Sequence, residues 1–148
     1  MHYNRARGGM QKMRYAIAVL AVIGIVVSFL AVAVHYGPAA NPTDLLDSRW
    51  NSAYVNQSAY SEIYGVPVAV LGIIGYALVG WLAWQRRIVL TVYAAGIGLA
   101  YALYLTDVEA HTLQAWCAYC VASLIVMILI ACLSFGAFIN SRAPNTGE

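Results

Sequence analysis

The chain has 148 residues, of which 62% are hydrophobic and only 9% are charged, and its formal net charge is +2. A soluble domain carries about half apolar and about a quarter charged residues, so this composition argues against a water-soluble helical bundle. It contains no basic patch with interleaved aromatic residues, which argues against nucleic acid as a partner. The length fits one domain, and we take residues 1–148 as a single membrane domain.

Four long apolar stretches follow one another along the chain, and none contains Lys, Arg, Asp or Glu: 16–34, 66–84, 88–105 and about 118–139. Each can cross a hydrocarbon core of about 30 Å as a helix. The sequence therefore predicts an all-α polytopic membrane protein, a bundle of four transmembrane helices at about 14–36, 66–84, 88–105 and 117–139. An outer loop covers 37–65. The first stretch is longer than a signal-peptide core and three spans follow it, so we predict a retained helix.

The basic residues predict the orientation of this bundle. Seven of the eight Lys and Arg residues fall on one side of the four-helix alternation, before the first helix, between the second and third, and after the fourth. The eighth, Arg49, lies in the first outer loop. By the positive-inside rule both termini are cytoplasmic. Residues 35–65 and 106–117 then face outward.

Two cysteines, Cys117 and Cys120, open the fourth stretch in the sequence QAWCAYCVAS. Positions three apart share one helix face, a helix N-terminus favours a thiolate, and the outer side of a bacterial membrane permits disulfides. The pattern predicts a redox-active pair that is accessible from outside. Cys117 would lie nearer the water and Cys120 deeper.

Other interpretations of the pair stay open. A structural disulfide over two residues constrains the unfolded chain little. A metal site needs further ligands, and only His111 and the outer-loop acids are near in sequence, so no metal is predicted. Two unreactive buried cysteines are the third alternative. Cys132, about three turns deeper, is predicted to be a small packing residue.

A dithiol at a membrane needs an electron acceptor, and the acceptor that shares the bilayer is a lipid quinone. Ser123 lies just under one turn beyond Cys120 on the same helix face. Its hydroxyl could donate a hydrogen bond to a quinone carbonyl, although a helical serine also bonds back to its own backbone.

The motif WCAYC and the stretch VNQSAYSEIYGVPVAVLGIIGY, residues 55–76, resemble the vitamin K epoxide reductase family. The resemblance covers roughly residues 14–140. The order of elements also matches: a long outer loop, a serine, Gly-x-Pro, a helical hairpin and then CxxC. The matching positions in residues 55–76 are Ser58, Gly65, Pro67, Gly72 and Tyr76.

The resemblance implies a four-helix bundle around a quinone of the ubiquinone, menaquinone or vitamin K type, with which the CxxC pair exchanges electrons. It also implies that Ser58 helps to bind the quinone. A second cysteine pair, in the first outer loop, passes electrons from a thioredoxin-like protein. Since this chain ends nine residues after the last predicted helix, that partner is expected to be a separate periplasmic or extracellular protein. The expected location is the bacterial inner membrane, with the site facing the periplasm or outside.

The sequence departs from the family in this loop, which contains no cysteine. The second loop cysteine would fall at Ser52 and the first most simply at Asp44. A serine is isosteric with cysteine but cannot exchange disulfides. Two explanations stay open: a variant made to trap one redox state, or a natural member that has lost the relay.

We therefore predict a quinone-linked thiol–disulfide oxidoreductase in which Cys117 exchanges with an incoming thiol and Cys120 faces the quinone. Trp116, Tyr119 and Tyr60 could wall the pocket for the quinone ring, together with Ser58 and Ser123. The alternative is a non-enzymatic membrane accessory or quinone-binding protein whose CxxC is structural or holds a metal.

Overall fold

The computed structural model describes residues 2–37 and 49–142, with side chains from residue 8 onward. Five α-helices follow in order: α1 (His2–Tyr36), α2 (Ser52–Asn56), α3 (Val68–Trp84), α4 (Ile88–Asp107) and α5 (Ala118–Arg142). A 3₁₀ turn (Ala59–Ser61) and two short strands, β1 (Glu62–Ile63) and β2 (Val66–Pro67), separate α2 from α3. A π-helical turn, Val108–Leu113, extends α4.

The four long helices form a closed bundle, because α1 packs against α3 and α5, and α4 packs against the same two helices. Its core contains Ile17, Tyr76, Ala95 and Ile130, all buried. Many large apolar side chains point outward instead, among them Phe29, which is 63% exposed. An apolar outer surface of this kind is expected of helices that lie in lipid.

In the described part of the chain, three helical segments are long and apolar enough to cross a membrane: Gly8–Tyr36, Ile88–Leu113 and Ala118–Arg142. The remaining apolar helix, α3, has 17 residues, or about 25 Å, which is the short end of the usual range. The chain is thus a helical membrane protein.

Two predicted boundaries are wrong. The second span was expected from residue 66, but Val66 and Pro67 form β2 and the helix begins at Val68. Residues 106–117 were expected to form a loop, but the helix continues to Leu113, where Gln114 adopts a left-handed backbone with φ 50° and ends it. The extension persists despite its polar residues because Val108 and Glu109 are buried, so its inner face packs like the rest of α4.

The short strands form a hairpin that prepares the start of α3. Ile63 pairs with Val66 across a two-residue turn, in which Tyr64 and Gly65 have φ values of 52° and 79°. Two positive φ values define a type I′ turn, whose twist matches antiparallel strands. The hairpin brings Glu62 back beside the end of α1, where its Oε1 lies 3.1 Å from His35 Nε2.

A second contact joins the first outer loop to the segment before α5. The N–H of Trp116 donates to the carbonyl of Arg49 at 2.8 Å, and the N–H of Asn51 donates to the carbonyl of Trp116 at 3.1 Å. Asn51 then caps α2, since its Oδ1 accepts the N–H of Tyr54 at 2.9 Å. These bonds hold α2 against the N-terminus of α5.

Four arginines meet at the opposite end of the bundle. Arg14 donates to the carbonyls of Ala83 and Trp84 at the C-terminus of α3, at 3.1 and 2.9 Å, where a cation is favoured by the helix dipole. Arg14, Arg86, Arg87 and Arg142 line one cleft there. Their meeting at one end agrees with the predicted alternation, and the assignment of that end to the cytoplasm stays a prediction.

The close approach of α1 to α3 depends on Gly24. A Cβ atom placed there would overlap the ring of the buried Tyr76, whereas a Cβ at Gly75 of α3 would meet nothing within 4 Å. We expect Gly24→Ala to lower the free energy of unfolding by about 1–3 kcal/mol through overpacking. Gly75→Ala should be neutral or stabilise by up to about 1 kcal/mol, from helix propensity. Thermal unfolding in detergent measures both, and equal melting temperatures would contradict this account.

Candidate functional site

Cys117 sits directly before the first residue of α5 and acts as its cap. Its Sγ accepts the backbone N–H of Cys120 at 3.4 Å and the side-chain N–H of Asn56, from α2, at 3.1 Å. Cys117 is 0% exposed. The sulfur is thus enclosed by donors, an arrangement that suits a thiolate better than a neutral thiol.

The neighbouring backbone N–H groups also find partners. The N–H of Cys117 donates to Oε2 of Glu109 at 3.1 Å, and the N–H of Ala118 donates to Oγ of Ser52 at 3.3 Å. The first N–H groups of a helix have no partner within the helix. Here the π-helical turn, α2 and the cysteine itself supply those partners, which holds the redox motif in one geometry.

These contacts lower the pKa of the Cys117 thiol. The largest cause is the hydrogen bond from the Cys120 side chain; burial opposes it, and Asn56 adds to the lowering. Cys117 lies outside the spanning segments, between Ile88–Leu113 and Ala118–Arg142. Of the two cysteines, Cys117 is thus the one whose thiolate is favoured.

Cys120 differs from Cys117 in what it faces. It lines a cavity of about 190 Å³ at the end of the bundle opposite the arginine cleft, while Cys117 is not among the residues lining it. Both cysteines are free thiols in this structure. Their Sγ atoms and one oxygen of Glu109 lie within 4.8 Å of one another. This proximity allows a disulfide, and it leaves Cys120 as the sulfur that a ligand in the cavity would meet.

The cavity wall is mostly apolar, with a few polar groups. Every long helix contributes, for example Ala31, Leu71, Ala102 and Met127. The polar side chains come from the outer loop, the π-helical turn and the inner helix faces: His35, Asn56, Ser58, Ser61, Tyr76, Glu109 and Ser123. An apolar pocket with few converging polar groups is typical of a small-molecule site.

His35, at the end of α1, ties the outer loop to this cavity. Its Nδ1 faces the carbonyl of Asn56, and its Nε2 lies 3.1 Å from Glu62. The same Asn56 donates its side-chain N–H to Cys117. The orientation of Asn56 towards the sulfur is thus supported from α1 and from the hairpin.

The predicted pocket residues fall in different places. Ser58, Tyr60, Tyr119 and Ser123 all line the cavity. The Ser58 hydroxyl donates to the carbonyl of Val55 at 2.8 Å. The Ser123 hydroxyl lies 2.8 Å from the hydroxyl of Tyr76, which also donates to the Ser123 carbonyl at 2.8 Å.

Trp116 is not among the cavity residues, and its backbone instead pairs with residues 49 and 51. Of the two positions that match missing loop cysteines, Ser52 is fully buried beside the start of α5. Asp44 lies outside the described residues.

Two expectations about cysteine exposure are wrong. Cys117 was expected to be open to the outer face, but Ser52, Val55 and Asn56 of α2 are packed around it. The loop that hydropathy assigned to solvent folds back as a helix and covers the thiol. Cys132 was expected to pack inside, but it is exposed on the outside of the bundle.

The sequence interpretation missed Glu109, Asn56 and His35. Glu109 had a signal, because an acidic residue eight positions before the motif and next to an apolar span is expensive unless it has a role. Asn56 and His35 had no such signal in the sequence. Asn56 contacts Cys117, which is 61 positions away, and His35 contacts Asn56, which is 21 positions away.

Glu109, Cys117 and Cys120 also form a donor set that a soft divalent cation could use. His111, considered above for such a site, points elsewhere: its Nδ1 lies 2.9 Å from Asp107 and both side chains are exposed. Three donors are one fewer than a structural zinc site uses, so these residues are not assigned as metal ligands.

The comparison with known families agrees with the geometry of the site. The model of the vitamin K epoxide reductase family matches residues 15–135, which includes the bundle, the hairpin and the cysteine pair. No curated protein matches the chain. A match over most of the chain, with the cysteine pair beside an apolar cavity, establishes that this chain belongs to the vitamin K epoxide reductase family.

Proposed function

We propose that the chain is a quinone-linked thiol–disulfide oxidoreductase in which Cys117 and Cys120 cycle between dithiol and disulfide. The observation that carries the proposal is the difference between the surroundings of the two sulfur atoms. Cys120 lines the apolar cavity, and Cys117 is held behind it among hydrogen-bond donors. Membership of the family supports redox chemistry of this kind.

The residues around the cavity suit a quinone. Its walls are apolar, and about 190 Å³ is below the roughly 300–1,000 Å³ of whole-ligand sites, so it would hold a ring while an isoprenoid tail lay between helices. Ser58, Tyr76 and Ser123 would provide hydroxyl groups for the ring oxygens, by turning their protons away from the protein oxygens that accept them in this structure. A bound quinone would supply the capacity to accept two electrons and two protons.

The chain's own residues would prepare the sulfurs for this exchange. Asn56 and the N-terminus of α5 favour the thiolate of Cys117 over its thiol, so this sulfur attacks without first losing a proton and leaves without taking one up. Apolar side chains exclude water from Cys120. A charge that develops beside Cys120 is then met by hydroxyl groups of the cavity wall rather than by solvent.

A thiol partner would approach from the outer face, and we propose a separate thioredoxin-like protein on the periplasmic side of a bacterial inner membrane. Ser52 occupies the place of the family's loop cysteine beside α5 and cannot form a mixed disulfide. The partner would therefore react with Cys117 itself. Because α2 packs around that sulfur, α2 must move before the partner can reach it.

The test follows the thiols directly. Cys132→Ser protein, fully reduced in detergent without oxygen, receives a soluble quinone with a fully substituted ring, which does not add to thiols. Free thiols are then trapped and counted by intact mass. We expect both remaining thiols to disappear together, with a mass loss of two hydrogens. Cys120→Ser in the same background should keep its thiol.

Two thiols that stay trappable for hours in folded protein would contradict the enzymatic proposal. That result would favour the accessory alternative, in which the pair is structural or holds a metal. Loss of both thiols in the Cys132→Ser protein, with retention of the thiol in Cys120→Ser, would establish quinone-coupled chemistry at this pair.

A further inference from the structure

Glu109 has a buried carboxyl group whose two oxygen atoms differ in their hydrogen bonding. It is 2% exposed, and its Oε2 accepts the N–H of Cys117 at 3.1 Å. Its Oε1 is also buried and has no hydrogen bond of good geometry among the described residues, and the side chain that interacts with this carboxyl group is the Cys120 thiol. Unsatisfied buried oxygens are rare, because leaving one without a partner is costly, so this one calls for a role.

The π-helical turn places this carboxyl group at the reacting sulfur. Glu109 lines the same cavity as Cys120, and one of its oxygens lies within 4.8 Å of both Sγ atoms. With Oε2 bound to the backbone of Cys117, Oε1 is the oxygen left to interact with a thiol.

We propose that Glu109 is a catalytic residue that exchanges a proton with Cys120 each time the disulfide between Cys117 and Cys120 breaks or forms. The proposal deepens the proposed redox function and rests on it. The two sulfurs have different needs. Cys117 leaves as a thiolate held by Asn56 and the helix N-terminus, whereas Cys120 faces an apolar cavity, where a free thiolate is poorly stabilised.

The step balances for reduction by a dithiol. In one of the two displacements the sulfur–sulfur bond to Cys120 breaks, and its electron pair stays on Cys120 Sγ. The proton of the Glu109 carboxyl group moves to that sulfur, leaving a carboxylate and a neutral thiol. The attacking dithiol is oxidised by two electrons and the protein disulfide is reduced. In the oxidising direction the Cys120 proton returns to Glu109 as the sulfur forms its new bond.

The alternative is that Glu109 only anchors the backbone of Cys117. Glu109→Gln separates the two roles, because its amide oxygen still accepts the N–H of Cys117 but its side chain cannot exchange the proton. Asp107→Asn is a matched control: it removes a carboxylate two residues away, at an exposed position paired with His111.

The experiment uses the Cys132→Ser protein with its disulfide formed, so that only the pair reacts. Dithiothreitol is added over a range of pH, and thiol trapping with intact mass gives the reduction rate per dithiothreitol thiolate. We expect Glu109→Gln to be slower by about 100-fold and Asp107→Asn to match the parent. The rate per thiolate should fall with rising pH in the parent and stay flat in Glu109→Gln.

The other titratable groups on the cavity wall are the same in both proteins, so the difference between the pH profiles reports Glu109. They come from every packed element: His35 of α1, Tyr60 of the 3₁₀ turn, Tyr76 of α3, Tyr101 of α4, and Tyr119 and Cys120 of α5. Cys117, behind the wall, is also unchanged.

Glu109→Asp provides a second variant, since it keeps a carboxyl group on a shorter side chain and should retain more of the rate than Glu109→Gln. Folding of each variant is checked by thermal unfolding. A folded Glu109→Gln protein that is reduced at the parent's rate would overturn the proposal, as would a folded Glu109→Asp protein no faster than Glu109→Gln. The assay contains no quinone, so its outcome is separate from the quinone test of the proposed function.

Discussion

Ser52→Cys should give a protein in which position 52 forms a disulfide with Cys117 and Cys120 is left as a free thiol. The Ser52 side chain is 0% exposed and accepts the N–H of Ala118, the residue after Cys117, at 3.3 Å. One turn further along α2, Asn56 touches the Cys117 sulfur at 3.1 Å. A thiol replacing the hydroxyl would therefore lie beside Cys117 without a change of backbone.

The result would be measured after mild oxidation, by trapping free thiols in the Cys132→Ser background and mapping the digest without reduction. A Ser61→Cys variant is the control, because the Ser61 hydroxyl donates to the carbonyls of Asn56 and Ser58, at 2.6 and 2.7 Å, rather than facing α5. We expect the cross-link to Cys117 from position 52 and none from position 61. If Cys117 pairs only with Cys120 in Ser52→Cys, the placement of α2 is wrong.

The consequence of Ser52 is chemical rather than structural. Its hydroxyl fills the space and satisfies the N-terminus of α5, which a cysteine sulfur would do less well because sulfur is a weak acceptor. What the chain loses is the ability to pass a disulfide from α2 to Cys117. The thiol partner that we propose must then exchange disulfides with Cys117 directly. The movement of α2 would therefore control how easily the partner reaches Cys117.

Most of the bundle could be predicted from the sequence because a lipid solvent leaves few choices. Uninterrupted apolar stretches had to be helices, and α4 begins at Ile88 as expected. The errors occur where apolar and polar residues mix. Val66 and Pro67 continue the hydropathy of α3, but the turn at Tyr64 and Gly65 pairs them with β1. Residues 108–113 look like a loop by polarity, yet they pack as a helix.

The two cysteines of the site were predictable from their spacing, but their surroundings were not. Helix position predicts that Cys117 is nearer the water than Cys120. Exposure follows packing instead, and α2 covers Cys117 while the cavity opens at Cys120. Asn56 reaches the sulfur from 61 positions away, and such a contact has no local pattern by which it could be recognised.

Asn56→Ala should make the cysteine pair a weaker oxidant. The Asn56 side chain donates to Cys117 Sγ and is one of the causes that lower the pKa of Cys117, after the hydrogen bond from Cys120. A hydrogen bond to a charged group contributes about 1.5–3 kcal/mol. Removing it destabilises the reduced, thiolate form by that amount, which lowers the reduction potential by about 30–60 mV.

The shift in reduction potential caused by Asn56→Ala should depend on pH. Asn56 stabilises the thiolate, so its contribution to the reduced state is present above the lowered pKa of Cys117 and is lost as the pH falls through that pKa. The parent and Asn56→Ala should therefore differ in potential above the lowered pKa of Cys117 and converge below it. Equilibration with dithiothreitol redox buffers, read by thiol trapping, measures the potential at each pH.

Gln57→Ala is the matched control, because that amide donates to the carbonyls of Val34 and Gly37 and does not touch the sulfur. Since both variants loosen α2, an equal shift in the two would mean that the tether of the helix, and not the hydrogen bond to Cys117, sets the potential.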